Sequence, residues 1–145
     1  MSNKLQKWAV LDIETTGLDP DYDELIDIGY LQFEGTRLIK TYSSLVRPAS
    51  DITLPHFIQK LTKITPKMLE GAPQFSVVAP ELLELYGSHI LAHNSSFEKG
   101  FLEPHFKKID DGTQRESFED SLFVLSLMFP EKSNLGLERF LSDWG

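Results

Sequence analysis

No cysteine occurs anywhere in the chain. A disulfide framework and a thiolate metal site are both excluded, and a cytoplasmic location is the expectation. Long apolar runs are missing too: none approaches the roughly 20 residues that cross a bilayer, so no membrane partner is expected. Basic residues at the start, Lys4 and Lys7, are followed by no apolar h-region because Asp12 and Glu14 interrupt it, which excludes a signal peptide. Positive charge is scarce, with 14 Lys and Arg against 22 Asp and Glu and a net charge of −8. That disfavours a general nucleic-acid coat, which would be basic. It leaves room for an enzyme that grips a few phosphates through divalent cations. Repeats, low-complexity tracts and linkers are absent, and 145 residues fit one domain with one core.

The residues that are present read as a mixed α/β domain. Trp8 to Ile13 is a nearly continuous apolar run, the pattern of a central strand buried on both faces. Gly17 and Asp19-Pro20 mark a loop. Ile26, Ile28, Tyr30 and Gln32 alternate with Asp27, Gly29, Leu31 and Phe33 as a second strand, and Glu34-Gly35-Thr36 turns into a third, about Arg37 to Val46. Short helices are expected at Pro55–Leu61 and Pro66–Leu69, each with proline in its first turn. Helical spacing continues from Val77 to Tyr86; Ser88–Ala92 is a short buried strand, and a helix follows from Ser96 to Lys108. A strand near Ser117–Phe118, a helix from Ser121 to Met128 and a last helix beginning at Leu135–Leu141 complete the order.

Asp12 and Glu14 lie two apart on the first strand and so share a face. Two adjacent carboxylates repel and are penalised further by desolvation. No lysine or arginine is near them in sequence, and oxygen donors suit a hard ion such as Mg²⁺ or Mn²⁺. An exposed strand end facing water is the plain alternative. Thr15, Thr16, Gly17 and Leu18 add two hydroxyls, a flexible turn and an apolar tip able to hold a nucleotide, or simply a strand-to-loop turn. In the second cluster, Ala92-His93-Asn94-Ser95-Ser96-Phe97-Glu98, Ser95 and Glu98 match a capping box, while a functional reading turns Glu98 toward Asp12 and Glu14 as a third acid.

Asp12-Ile13-Glu14-Thr15-Thr16-Gly17, Leu61 to Pro73, and Ala92 to Glu98 together resemble the DEDD 3′→5′ exonucleases, in the style of the proofreading exonuclease of bacterial DNA polymerase III and of domains fused to polymerases and helicases. The resemblance runs in order from Trp8 to about Leu141. It implies an RNase H-like fold: a mixed five-stranded sheet, strands 1–3 antiparallel and strands 4–5 parallel to strand 1, flanked by helices. It implies removal of nucleotides from the 3′ end of single-stranded nucleic acid, DNA favoured over RNA, with two divalent ions, Mg²⁺ or Mn²⁺. By similarity, Asp12, Glu14 and Glu98 are the catalytic and metal-binding acids. Thr15, Thr16, Gly17 and Leu18 meet the terminal nucleotide, Ile64 and Thr65 line the pocket opposite, and His93, Asn94 and Phe97 shape the site. Asp120 matches a family acid and equally a helix N-cap before Ser121. A polymerase or a helicase is the implied protein partner.

Two positions depart from the family pattern. Glu98 stands where aspartate is usual, adding a methylene. The family's final histidine, followed five residues later by aspartate, has no counterpart: Glu138 and Asp143 have that spacing but fall too early, and His56, His89 and His105 sit in structural contexts. The expectation is a single exonuclease domain over residues 1–145 lacking its last helix and last motif, with Leu137, Phe140, Leu141 and Trp144 as an uncovered apolar set. The competing reading is a non-catalytic nucleic-acid-binding or interaction module that kept the fold.

Overall fold

The computed structural model describes residues 6–49, 53–85, 88–106 and 117–144. Three strands come first, β1 (Lys7–Thr15), β2 (Leu25–Glu34) and β3 (Arg37–Leu45), paired antiparallel as the alternation predicts. The β2–β3 turn is two residues long, and Gly35 takes φ 60°, the left-handed conformation that a tight hairpin favours. Helices α1 (His56–Thr62), α2 (Pro66–Glu70) and α3 (Phe75–Leu83) follow. The chain then forms β4 (His89–Ala92), α4 (Ser96–Phe106), β5 (Ser117–Asp120), α5 (Ser121–Met128) and α6 (Leu137–Trp144). The predicted helix ends Tyr86 and Lys108 lie outside the described residues.

The five strands order β3-β2-β1-β4-β5, with β4 parallel to β1 and β5 parallel to β4. This is the mixed RNase H-like sheet that the motifs implied. One sheet face is dry: Ala9, Leu11, Ile13, Ile28, Tyr30 and Ile90 pack against Val78 and Leu82 of α3 and Phe101 and Leu102 of α4. A second cluster joins Ile26 to Leu54, Ile58, Ile64 and Leu69 beneath α1 and α2.

The other face differs from expectation. Rather than being buried on both sides, β1 alternates: Ala9, Leu11, Ile13 and Thr15 are buried, while Val10 is 36% exposed and Asp12 lies open. Trp8 leans on Phe33 with ring centroids 4.4 Å apart on that same open side, and Leu31 and Leu38 remain exposed. The physical reason is that α3 and α4 cover only one face, so the other half of an apolar run has nothing to pack on. Neither α5 nor α6 buries a described residue; α6 is steadied by Phe140 against Phe129, 5.1 Å between centroids.

Candidate active site

The acids sit on the open face at the C-terminal end of β1. The β1–β2 register sets Asp12 opposite Gly29 and Glu14 opposite Asp27, so a cleft of about 350 Å³ carries Asp12, Glu14 and Asp27 above a floor of Val10, Gly29 and Leu31. A larger cavity, about 530 Å³, lies against Leu25, Val46 and Phe101 and contains none of the predicted acids. The smaller cleft thus holds Asp12 and Glu14 of the predicted acids, while Glu98, His93 and Asn94 line neither of these two cavities. Parallel pairing ends with Val10 beside Leu91, and two residues further along each strand come Asp12 and His93.

Four carboxyl groups here resist ionisation. Desolvation raises Asp12, countered by the Ile13 backbone N–H and by nearby His93. Desolvation also raises Glu14, with Asp12 and Asp27 adding like charge, and it raises Asp27, with Asp12 adding to the effect. Glu98, only 3% exposed, is pushed up to about 7 by burial first and then by the charges of Asp12 and Asp120. The backbone N–H that steadies Glu98 is its own, and Oε2 is buried with no hydrogen-bond partner. A capping box would use one glutamate oxygen on the N-cap amide; Oε2 makes no such bond. No described lysine or arginine forms a salt bridge with Asp12, Glu14, Asp27 or Glu98. Hard oxygen donors and an orphaned oxygen fit a divalent ion, although among the described residues no three His, Asp or Glu side chains converge into a ligand cluster.

The loop after β1 is tied from within. Thr15 and Thr16 are buried; the Thr15 hydroxyl donates to the Gly17 carbonyl, and the Thr16 hydroxyl donates to Asp23 Oδ1 at 2.9 Å while accepting the Glu24 N–H at 3.0 Å. A Cβ on Gly17 would stand 2.4 Å from Asp23 Oδ2, so a larger residue there must displace the Asp23 carboxylate. Leu18, by contrast, is 81% exposed. Of the expected pocket residues opposite, Ile64 is buried in the second cluster and Thr65 caps α2, its Oγ1 accepting from the Met68 N–H at 3.4 Å.

At the β4–α4 junction Asn94 is exposed with φ 66°, a conformation its short polar side chain tolerates. His93 Nδ1 lies 3.0 Å from Ser121 Oγ, and Phe97 stacks against Phe101 at 5.1 Å. Asp120 Oδ1 accepts from both the Leu122 and Asn94 N–H groups, at 2.9 and 3.0 Å, so it caps α5 and braces the turn that carries His93. Asp143 is bound to Lys132 at 2.8 Å, which draws its pKa down, consistent with its rejection as a site acid. Asp23 and Asp27 were missed because they fall in an acidic run that reads as a solvated face. The available signal was parity: Asp27 shares the outward set of β2 with Gly29 and Leu31.

An exonuclease family model, of the RNase T type, matches residues 9–142. The chain belongs to the DEDD exonuclease family. It is 38% identical over 124 residues to a 3′-5′ exonuclease DinG of Staphylococcus epidermidis, covering 85% of this chain and 14% of the relative. Against the DinG of Staphylococcus saprophyticus it is 33% identical over 139 residues, 95% of this chain and 15% of the relative. The chain thus spans about a seventh of these relatives' length. Among solved structures, a product-bound exonuclease I superposes with TM-score 0.75 at 19% identity, covering 90% of this chain and 34% of that one. Escherichia coli exonuclease I with a dT13 oligonucleotide gives TM-score 0.74 at 20% identity, covering 89% and 31%. These two likenesses concern the fold. No described helix is long and apolar enough to cross a membrane.

Proposed function

We propose that this chain is the nuclease unit that removes nucleotides from the 3′ end of single-stranded DNA, with two divalent cations, Mg²⁺ or Mn²⁺, held by Asp12, Glu14 and Glu98. The observation that carries the reading is this set of acids, unpaired with any described cation, one of which has a buried oxygen bonded to nothing. The exonuclease family match and the DinG relatives support hydrolysis at a 3′ end; the dT13 complex of exonuclease I supports a single DNA strand as ligand. When bound, the cations supply Lewis acidity at the attacking and departing oxygens of an in-line displacement.

The chain's own residues orient the strand. Leu18, on a loop shaped by Thr15, Thr16 and Gly17, packs on the terminal base; His93 and Asn94 border the sugar and phosphate, with Phe97 supporting them. Ile64 and Thr65 shape the opposite wall from beneath, one by packing and the other by capping α2. A polymerase or a helicase is the proposed partner; the DinG relatives extend well beyond the length matched here.

The test is release of mononucleotides from a 5′-labelled single strand. Divalent-dependent shortening from the 3′ end is expected. Asp12→Ala should lose more than the roughly 10–100-fold that follows removal of a merely supporting group. No shortening, with a control nuclease active in the same tube, sinks the reading.

A further inference from the structure

We propose that Tyr22 is a second base-stacking residue, carried on the same loop as Leu18, a loop tied by the carboxylate of Asp23; this deepens the nuclease reading and rests on it. Tyr22 is 82% exposed and Leu18 81%, two large side chains standing out of the one short loop that follows the strand of Asp12 and Glu14. A lone exposed hydrophobe needs no explanation. Here the loop is fixed rather than slack. Tyr22 and Asp23 both donate their N–H to the Asp19 carbonyl, at 3.0 and 2.7 Å, and Asp19 N–H returns to Asp23 Oδ2 at 3.0 Å. The other oxygen of Asp23 takes the Thr16 hydroxyl, and Gly100 of α4 lies against Pro20. One carboxylate thus joins the end of β1 to the tip of the loop, and the loop rests on the helix that carries Glu98.

Charge decides what the loop can receive. Asp19, Asp21, Asp23 and Glu24 flank Tyr22 along the loop, and their negative charge repels a phosphate. A nucleobase plane is uncharged, and stacking on an aromatic ring is strong and sequence-tolerant. Tyr22 and Leu18 therefore form two prongs for successive bases of a single DNA strand, while phosphates pass on the side of the cation-binding acids. Asp23 is a positioning residue, acting through the loop.

The experiment is fluorescence anisotropy of the whole protein with an oligo-dT whose 3′-terminal linkages are phosphorothioates, in Mg²⁺, beside an oligonucleotide with abasic 3′-terminal positions. Wild type should bind the base-bearing strand more tightly. Tyr22→Ala should weaken that binding roughly five-fold or more, the lower end of base–aromatic stacking, and leave abasic binding unchanged. Tyr22→Phe should bind as wild type does. Asp23→Ala should lose the same discrimination, and adding it to Tyr22→Ala should cost little more. If Tyr22→Ala still discriminates as wild type does, while Asp12→Ala abolishes divalent-dependent release, Tyr22 is idle and the nuclease reading stands. If wild type neither binds nor cleaves, both readings fall.

Discussion

Glu14 on β1 and Asp27 on β2 occupy the same rung of the antiparallel ladder, so two carboxylates leave the sheet side by side. Like charges directly opposite one another are destabilising, by roughly 0.2–1 kcal/mol. Asp27→Asn should therefore stabilise the metal-free protein, raising its melting temperature by about 1–3 °C in chelator. The same substitution should weaken divalent binding measured by calorimetry. An unchanged or lowered melting temperature would mean that the two charges do not meet.

Burial of Glu98 predicts an inverted pH response. Its folded pKa, about 7, lies above its ordinary value of 4.5, so the folded state keeps a proton that the unfolded state has released. Stability from this group is complete below pH 4.5 and is lost as pH rises toward 7. In chelator, urea unfolding should show wild type losing stability between pH 5 and pH 8 relative to Glu98→Gln, by up to about 3 kcal/mol. Parallel pH profiles for the two proteins would refute the assignment.

Divalent ions should reverse that penalty. Mn²⁺ or Mg²⁺ at roughly 100 times its dissociation constant should add about 2.7 kcal/mol of stability. The gain should be larger at pH 8 than at pH 6, because binding requires ionised carboxylates. Scanning calorimetry of Asp12→Asn should show the gain gone.

Gly17 and Asp23 should fail together. A methyl at Gly17 displaces the Asp23 carboxylate and breaks its bonds to Thr16 and Asp19. Gly17→Ala should cost about 1–3 kcal/mol, and adding Asp23→Ala should cost far less than the sum. Additive losses in denaturant titrations would show that the two positions act separately.

Asp120→Ala should loosen one helix selectively. Helix α5 has no buried residue, so its start depends on this cap. A loss of about 1 kcal/mol is expected, seen as faster amide exchange in α5 and in the Asn94 turn while β1 stays protected.

Much of this could be read before any coordinates. The outward position of Asp12 and Glu14 follows from a two-residue period, and the β2–β3 hairpin from Gly35. Residue by residue, Ile26, Ile28, Tyr30 and Gln32 are the buried set of β2 as their alternation indicates. What escaped were relationships across strands. An apolar run cannot say whether one or both faces of β1 are covered, because that depends on where α3 and α4 land. The capping-box pattern at Ser95 and Glu98 was locally sufficient, yet it could not show that Glu98 Oε2 ends buried without a partner. Asp23 was lost in a charge run for the same reason: its partners, Thr16 and Asp19, are set by loop geometry rather than by spacing.

The β1–β4 pairing also bears on when the proposed acid set can assemble. Asp12 belongs to the first strand and Glu98 to the fourth helix, so no early stretch of chain contains the pair. Parallel docking of β4 on β1 is a non-local event whose loop-closure cost precedes its reward. A chain emerging from the ribosome thus cannot bring Asp12 and Glu98 together until its second half has followed.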